Sequence, residues 1–228
     1  MLAFIAGATN AGAFLAVRQY TSHMTGMVSS LADHLVLGEL ALAANAFGAL
    51  LAFVAGAALC AVLVNFAKRH RLSSQFATPL LLEAALLLAF GLIGAQLSSV
   101  QGVFASVTVL MLCFMMGLQN AVITKVSRAE IRTTHVTGLV TDIGIEIGKA
   151  LYWNRAPEPT AMRVAADRDR LFVLAMLVLS FLAGGIIGAL GFQHLGYATT
   201  LPLALLLVAV SVVPVIDDLK AVLSQPAA

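Results

Sequence analysis

Six apolar stretches fill most of this chain, and each is long enough to cross a bilayer or close to it. They are Leu2–Val17, Leu40–Phe66, Phe76–Leu97, Val103–Ile123, Leu171–Phe192 and Leu201–Ile216. A helix needs about 20 apolar residues to cross roughly 30 Å of hydrocarbon. The first and last are short and draw on neighbouring polar residues. Only 11% of the 228 residues are charged and 61% are hydrophobic, so the chain lacks the material for a water-facing exterior. The expected solvent is the lipid bilayer. Leu2–Val17 lacks a basic n-region and a small-residue cleavage site followed by a polar mature domain, so it is expected to stay as an anchor. Cys60 and Cys113 lie inside apolar runs and read as packing residues. A net charge of +2 without aromatic–basic interleaving gives no reason to expect a nucleic-acid partner.

Two shorter stretches, Met24–Gly38 and Val136–Gly148, each follow a Thr/His-rich break and carry acidic residues. Gly26–Gly38 and Gly138–Gly148 would reach roughly 16–20 Å as helices, about half a membrane. The positive-inside rule chooses between eight crossings and six. If both short segments cross, Lys and Arg divide almost evenly between the two faces. If both return to the side they left, every Lys and Arg except Arg18 falls on one face. The loops Ser98–Gln101 and His194–Thr199, which contain neither, then fall opposite. This predicts six transmembrane helices, two re-entrant or broken half-helices, and both termini in the cytoplasm. Short segments lying flat at the interface would give the same split.

The sequence also repeats itself. Gly7-x-x-Asn10-Ala11 precedes His23-Met24-Thr25-Gly26, and Gly117-x-x-Asn120-Ala121 precedes His135-Val136-Thr137-Gly138. Phe53-Val54-Ala55-Gly56 matches Phe181-Leu182-Ala183-Gly184, and Thr78-Pro79 has a looser counterpart in Leu201-Pro202. The reading is a single membrane domain, all-α, with repeat 1 over 1–98, repeat 2 over 102–216 and a cytoplasmic loop over 152–170. Three crossings per repeat is an odd number, so the copies are expected to be inverted, as in many secondary transporters.

Together with Arg132-Thr133-Thr134-His135-Val136-Thr137-Gly138 and Thr141-Asp142-Ile143-Gly144, these segments resemble the YoaK-type family of bacterial membrane proteins. The resemblance covers essentially the whole chain. It implies about six helices in the bacterial cytoplasmic (inner) membrane, and no reaction or substrate. Many relatives look like S-G-N-T-T where this chain has Thr21-Ser22-His23-Met24-Thr25-Gly26, so a role common to the family does not rest on His23.

Half-helices starting at Thr25-Gly26 and Thr137-Gly138 would aim free backbone N–H groups and positive dipole ends at the protein interior, a setting suited to an anion. The alternative is that these threonines only cap helices in a packed bundle. The expected solute-binding residues are Asn10, Thr25, Gly26, Asn120, Thr137 and Gly138, although Asn also commonly bridges membrane helices. His23, His135, Asp142 and Glu83 are the expected proton-coupling residues, because ionisable groups within a membrane are costly and usually functional. Glu146, four residues from Asp142, shares its helical face. No H-E-x-x-H or Cys/His cluster occurs, so metal is the weaker reading of the histidines. No cofactor is expected. The absence of a nucleophile–base pair and of a P-loop argues against an enzyme and against ATP-driven transport. The leading expectation is a small secondary transporter or channel for a small, anionic solute, proton-coupled. The alternative is a membrane scaffold or accessory subunit acting through its cytoplasmic loops. The Gly-rich helix faces suit a homodimer.

Overall fold

A computed structural model describes residues 1–72, 74–96, 103–126, 136–152 and 164–223. The helices are α1 (Leu2–Val17), α2 (Met24–Val36), α3 (Leu40–Arg69), α4 (Ala77–Gln96), α5 (Val103–Val126), α6 (Val136–Leu151), α7 (Arg168–Leu195) and α8 (Thr200–Leu223). A 3-10 turn over Gly196–Thr199 joins the last two. Among the described residues there is no strand.

Among the described residues, four stretches are long and apolar enough to cross a membrane: Leu40–Arg69, Ala77–Ala95, Ser106–Val126 and Arg168–Ile216. The last is 49 residues long and contains both α7 and most of α8. At 16 residues α1 reaches only about 24 Å, short of the hydrocarbon thickness. α6 has the same length, but it carries Asp142, Glu146 and Lys149 where α1 carries no charge. Charge, more than length, separates the two.

The surface is that of a membrane protein. Phe47, Leu51, Val54 and Val62 on α3 are exposed, as are Phe172, Leu179, Leu182 and Ile186 on α7. The buried set includes Thr9, Thr21, Glu83, Thr108, Gln119 and Ser211. Apolar side chains thus fill both the core and much of the exterior, and an exterior of this kind suits lipid. The main core joins Ile5 and Ala8 of α1, Cys60 and Val64 of α3, Leu87 and Phe90 of α4, Leu112 and Leu118 of α5, and Leu203 and Leu207 of α8. By contrast α2 and α6 are amphipathic and stay outside that core, α2 resting on α3 and α6 on α7.

The closest helix pairs exchange elements between the two halves of the chain. α1 packs along α7 and α3 along α5, while α4 packs on α8. Glycines allow these approaches. A Cβ at Gly7 would collide with the Phe181 carbonyl, and one at Gly184 with that of Phe4. Reciprocally, a Cβ at Gly117 would meet the Phe53 carbonyl, and one at Gly56 that of Phe114. Small residues at such crossings let backbones touch, which drives helix association in lipid. The contacts also fix direction. Gly7 meets Phe181 and Gly12 meets Phe192, so α1 and α7 are parallel. Gly48 meets Leu110 and Lys125 reaches Asn65, so α3 and α5 are parallel. Gly91 and Gly94, late in α4, meet Thr200 and Tyr197 at the start of α8, so that pair is antiparallel.

Thr78-Pro79 and Leu201-Pro202 do not occupy equivalent environments, since Pro79 is buried and Pro202 exposed. The buried spacing instead aligns Glu83, Ala84 and Leu87 of α4 with Leu203, Ala204 and Leu207 of α8.

Candidate functional site

α1 ends at Arg18, whose left-handed backbone (φ 56°) reverses the chain and whose N–H donates to the Phe14 carbonyl. The chain then runs back along α1. Tyr20 stacks on Phe14 with ring centroids 4.7 Å apart. The Ser22 hydroxyl donates to Asn10 Oδ1 at 2.9 Å. Asn10 lies at the middle of α1, about 10 Å from its C-terminal end at 1.5 Å per residue. The N-terminus of α2 therefore begins at half the depth of α1.

It opens into a cavity of about 1030 Å³, with walls from both halves of the chain. Asn10 faces it from α1 and Asn120 from α5; Met24 and Thr25 face it from the first turn of α2, and Val136 and Thr137 from that of α6. Phe53 of α3 and Phe181 of α7 complete the matched set. Tyr20, Ser22, Thr124 and Lys125 add hydroxyls and a cation, and no Asp or Glu stands among the described lining residues. The N-termini of α2 and α6 both reach this wall, and a helix N-terminus carries a partial positive charge. With Lys125 they make the wall electropositive. His23 precedes α2 without capping it through its side chain. Its imidazole lies over Gly26, where a Cβ would overlap the ring. Gly26 thus makes room for the histidine and is not itself part of the lining. Gly138 lies in the first turn of α6 but not in the lining. His135, with Arg132 to Thr134, lies outside the described residues.

Both asparagines are held by hydrogen bonds. Asn10 accepts from Ser22, whereas Asn120 Nδ2 donates to the Met116 carbonyl at 2.9 Å. The Asn120 carbonyl in turn accepts from Thr124 Oγ1 at 2.8 Å. Lys125 Nζ reaches Asn65 Oδ1 at 3.5 Å, a long contact that leaves the ammonium available to a ligand.

The acidic residues sit elsewhere. Asp142 is half exposed and pairs with Arg170 at 3.2 Å. Glu146 is buried, accepts from Lys149 Nζ at 2.7 Å and from the Asp167 backbone N–H at 2.8 Å. Those hydrogen bonds, from Lys149 first, hold its carboxyl below the usual glutamate range. Asp167 caps α7 by accepting from the Arg170 N–H at 2.9 Å. These contacts tie α6 to the start of α7, with Asp142 part of the tie and not of the cavity wall. Glu83 is also off the wall, buried between α4 and α5 where Gln119 Nε2 donates to its Oε1. A second hollow of about 300 Å³, beside Ser30, His34 and Asn45, is bordered by the 2.6 Å His34–Glu39 pair. No group of three or more His, Cys, Asp or Glu among the described residues is placed to hold a metal.

Several lining residues carried no motif signal. Ser22 sits inside the first break, and Lys125 reads in sequence only as a topology charge. Gln119, adjacent to Asn120, is an intramembrane polar residue whose partner appears only in three dimensions.

No curated protein and no solved structure matches the chain. A family model described as "Protein of unknown function (DUF1275)" matches residues 1–213, consistent with the resemblance to YoaK-type proteins. The chain, with its apolar helices compatible with an integral membrane protein, belongs to this family.

Proposed function

We propose that this protein is a small secondary transporter of the inner membrane that moves a small anionic solute and catalyses no reaction. One observation carries the reading. The first turns of α2 and α6 share a single cavity with Asn10, Asn120 and Lys125, and no carboxylate stands among its described lining residues. Helix N-termini converging on a site between repeats are a recurring solution for binding an anion inside a membrane.

In this reading the chain makes six crossings in two inverted repeats, with both termini cytoplasmic. The reciprocal packing of α1 on α7 and α3 on α5 supports the repeat. The antiparallel α4–α8 pair supports six crossings, since eight alternating crossings would make those helices parallel. The return of Tyr20 and Ser22 along α1 favours a re-entrant α2 over one lying at the interface. The solute would enter from one side past α2 and leave past α6 as the exchanged helix pairs rock. His23 sits at the mouth of α2 as a polar gate residue.

The test is flux into liposomes holding the purified protein, using a panel of small carboxylates, inorganic phosphate, sulfate and halides. At least one anion should move saturably, and Asn10→Ala and Asn120→Ala should each reduce that flux. If nothing in the panel moves faster than in protein-free liposomes, the reading fails.

A further inference from the structure

Glu83 and Gln119 are large polar side chains buried in the main core, at 2% and 1% exposure. Gln119 Nε2 donates to Glu83 Oε1. The other two oxygens, Glu83 Oε2 and Gln119 Oε1, are both buried and neither has a hydrogen-bond partner. A carboxylate is acceptor-only and so is an amide oxygen, so an ionised Glu83 leaves two buried acceptors that no described group satisfies. One proton changes this. Placed on Oε2, it supplies the donor that Gln119 Oε1 lacks, and the acid and amide close into a doubly hydrogen-bonded pair.

We infer that Glu83 and Gln119 form a proton-binding site between α4 and α5, in which Glu83 is held as the neutral acid and donates through Oε2–H to Gln119 Oε1. The surroundings fit a neutral group. Leu80, Ala84 and Leu87 flank it on α4, with Leu118 and Val122 on α5. From α3 the core holds one titratable group, the buried Cys60 thiol. From α5 the only described cation is Lys125, six residues beyond Gln119. α8 presents Leu203, Leu207 and Ser211, whose hydroxyl is bonded to the Leu207 carbonyl. The side chains of Asp217, Asp218 and Lys220 lie outside those described. The 3-10 turn presents Tyr197, which packs edge-on against Phe90 almost two turns along α4. No ion pair therefore neutralises Glu83 among the described groups, and a bound proton does so instead.

Packing does not require an acid here. Leu203 fills the matching buried place on α8, and Thr9, the sequence counterpart of Gln119, stands on α1. The proton site exists in one half only. It also lies directly behind the cavity, since Asn120 is the next residue after Gln119 and Lys125 belongs to the same helix. Where the cavity takes an anion, its charge disfavours ionisation of Glu83, so anion and proton bind cooperatively. This consequence rests on the transport reading; the protonation itself does not.

The test is infrared spectroscopy of the purified protein in lipid nanodiscs near neutral pH. Expected is a protonated-carboxyl C=O band that moves on selective ¹³C labelling of glutamate, disappears in Glu83→Gln and shifts in Gln119→Leu. The exchanged variant Glu83→Gln with Gln119→Glu should recover it. A wild-type spectrum without a label-sensitive band overturns the inference without relying on any variant. A band that persists in Glu83→Gln, or stays unmoved in Gln119→Leu, overturns it as well. Anion flux without the band leaves transport standing and removes the proton site. The band without anion flux does the reverse.

Discussion

The two halves of the chain match around the cavity and differ away from it. Gly7 and Gly117, Asn10 and Asn120, Thr25 and Thr137, and Phe53 and Phe181 take corresponding places around one cavity or its crossings. The amphipathic helices are finished differently. α2 ends beside an exposed His34–Glu39 pair, whereas α6 is fastened to α7 through Asp142–Arg170 and Glu146–Lys149. In the buried row of α4 stands Glu83, where that of α8 has Leu203. Matched walls give a site that can be approached similarly from either side. The unmatched parts give the two halves different chemistry.

The comparison breaks first at the helix crossings. Gly7→Leu and Gly117→Leu each push a branched side chain into a backbone carbonyl, and even modest overpacking costs about 1–3 kcal/mol. Both variants should lose most folded protein, read as monodisperse yield in detergent. A large loss from one and none from the other would show that the reciprocal crossings are not equivalent.

Next come the paired asparagines. Losing one hydrogen bond in a site costs about 1 kcal/mol, or roughly fivefold in affinity. Asn10→Ala and Asn120→Ala should weaken anion binding to similar extents, with the double variant losing about the product of the two effects. Lys125→Gln should weaken it several-fold and flatten its dependence on ionic strength, as removal of a partly exposed cation does. An unchanged salt dependence would take Lys125 out of the site.

The smallest effects belong to the tie of α6 to α7. Its Asp142–Arg170 pair is exposed on both sides, so Asp142→Asn should cost below about 1 kcal/mol. Glu146 has its carboxyl held below the ordinary range, so the folded form binds its proton less readily than the unfolded form does. Its contribution is complete above the ordinary glutamate range and is lost as pH falls through the lowered value. Thermal unfolding from pH 7 downward should show an acid limb in wild type that is reduced in Glu146→Gln.

Much of this was legible in the sequence because lipid leaves few choices. Leu2–Val17 is both the expected and the observed α1, and the two short breaks begin α2 at Met24 and α6 at Val136. Asn10, His23, Thr25, Asn120 and Thr137 were readable as a cavity set because rare polar residues recur in the same order. What escaped depends on three dimensions. The exchange of α1 onto α7 depends on which small residues meet. Asp142 read as a proton-coupling residue because its partner Arg170 is 28 residues away and outside the segment. Gln119 showed its value only once α5 was laid against α4. The Pro79–Pro202 match misled because two prolines near helix starts reflect local geometry, not shared burial.

The central claim is that the two breaks open into one water-filled cavity, and thiol labelling tests it most directly. In a background with Cys60→Ala and Cys113→Ala, Thr25→Cys and Thr137→Cys would be exposed to a small membrane-impermeant thiol reagent, with Leu179→Cys as the lipid-facing control. The account predicts that both break positions label, Leu179→Cys does not, and each is protected by the same anion that the flux panel identifies. If either break position labels no faster than Leu179→Cys, or if the anion protects one and not the other, the shared cavity is contradicted.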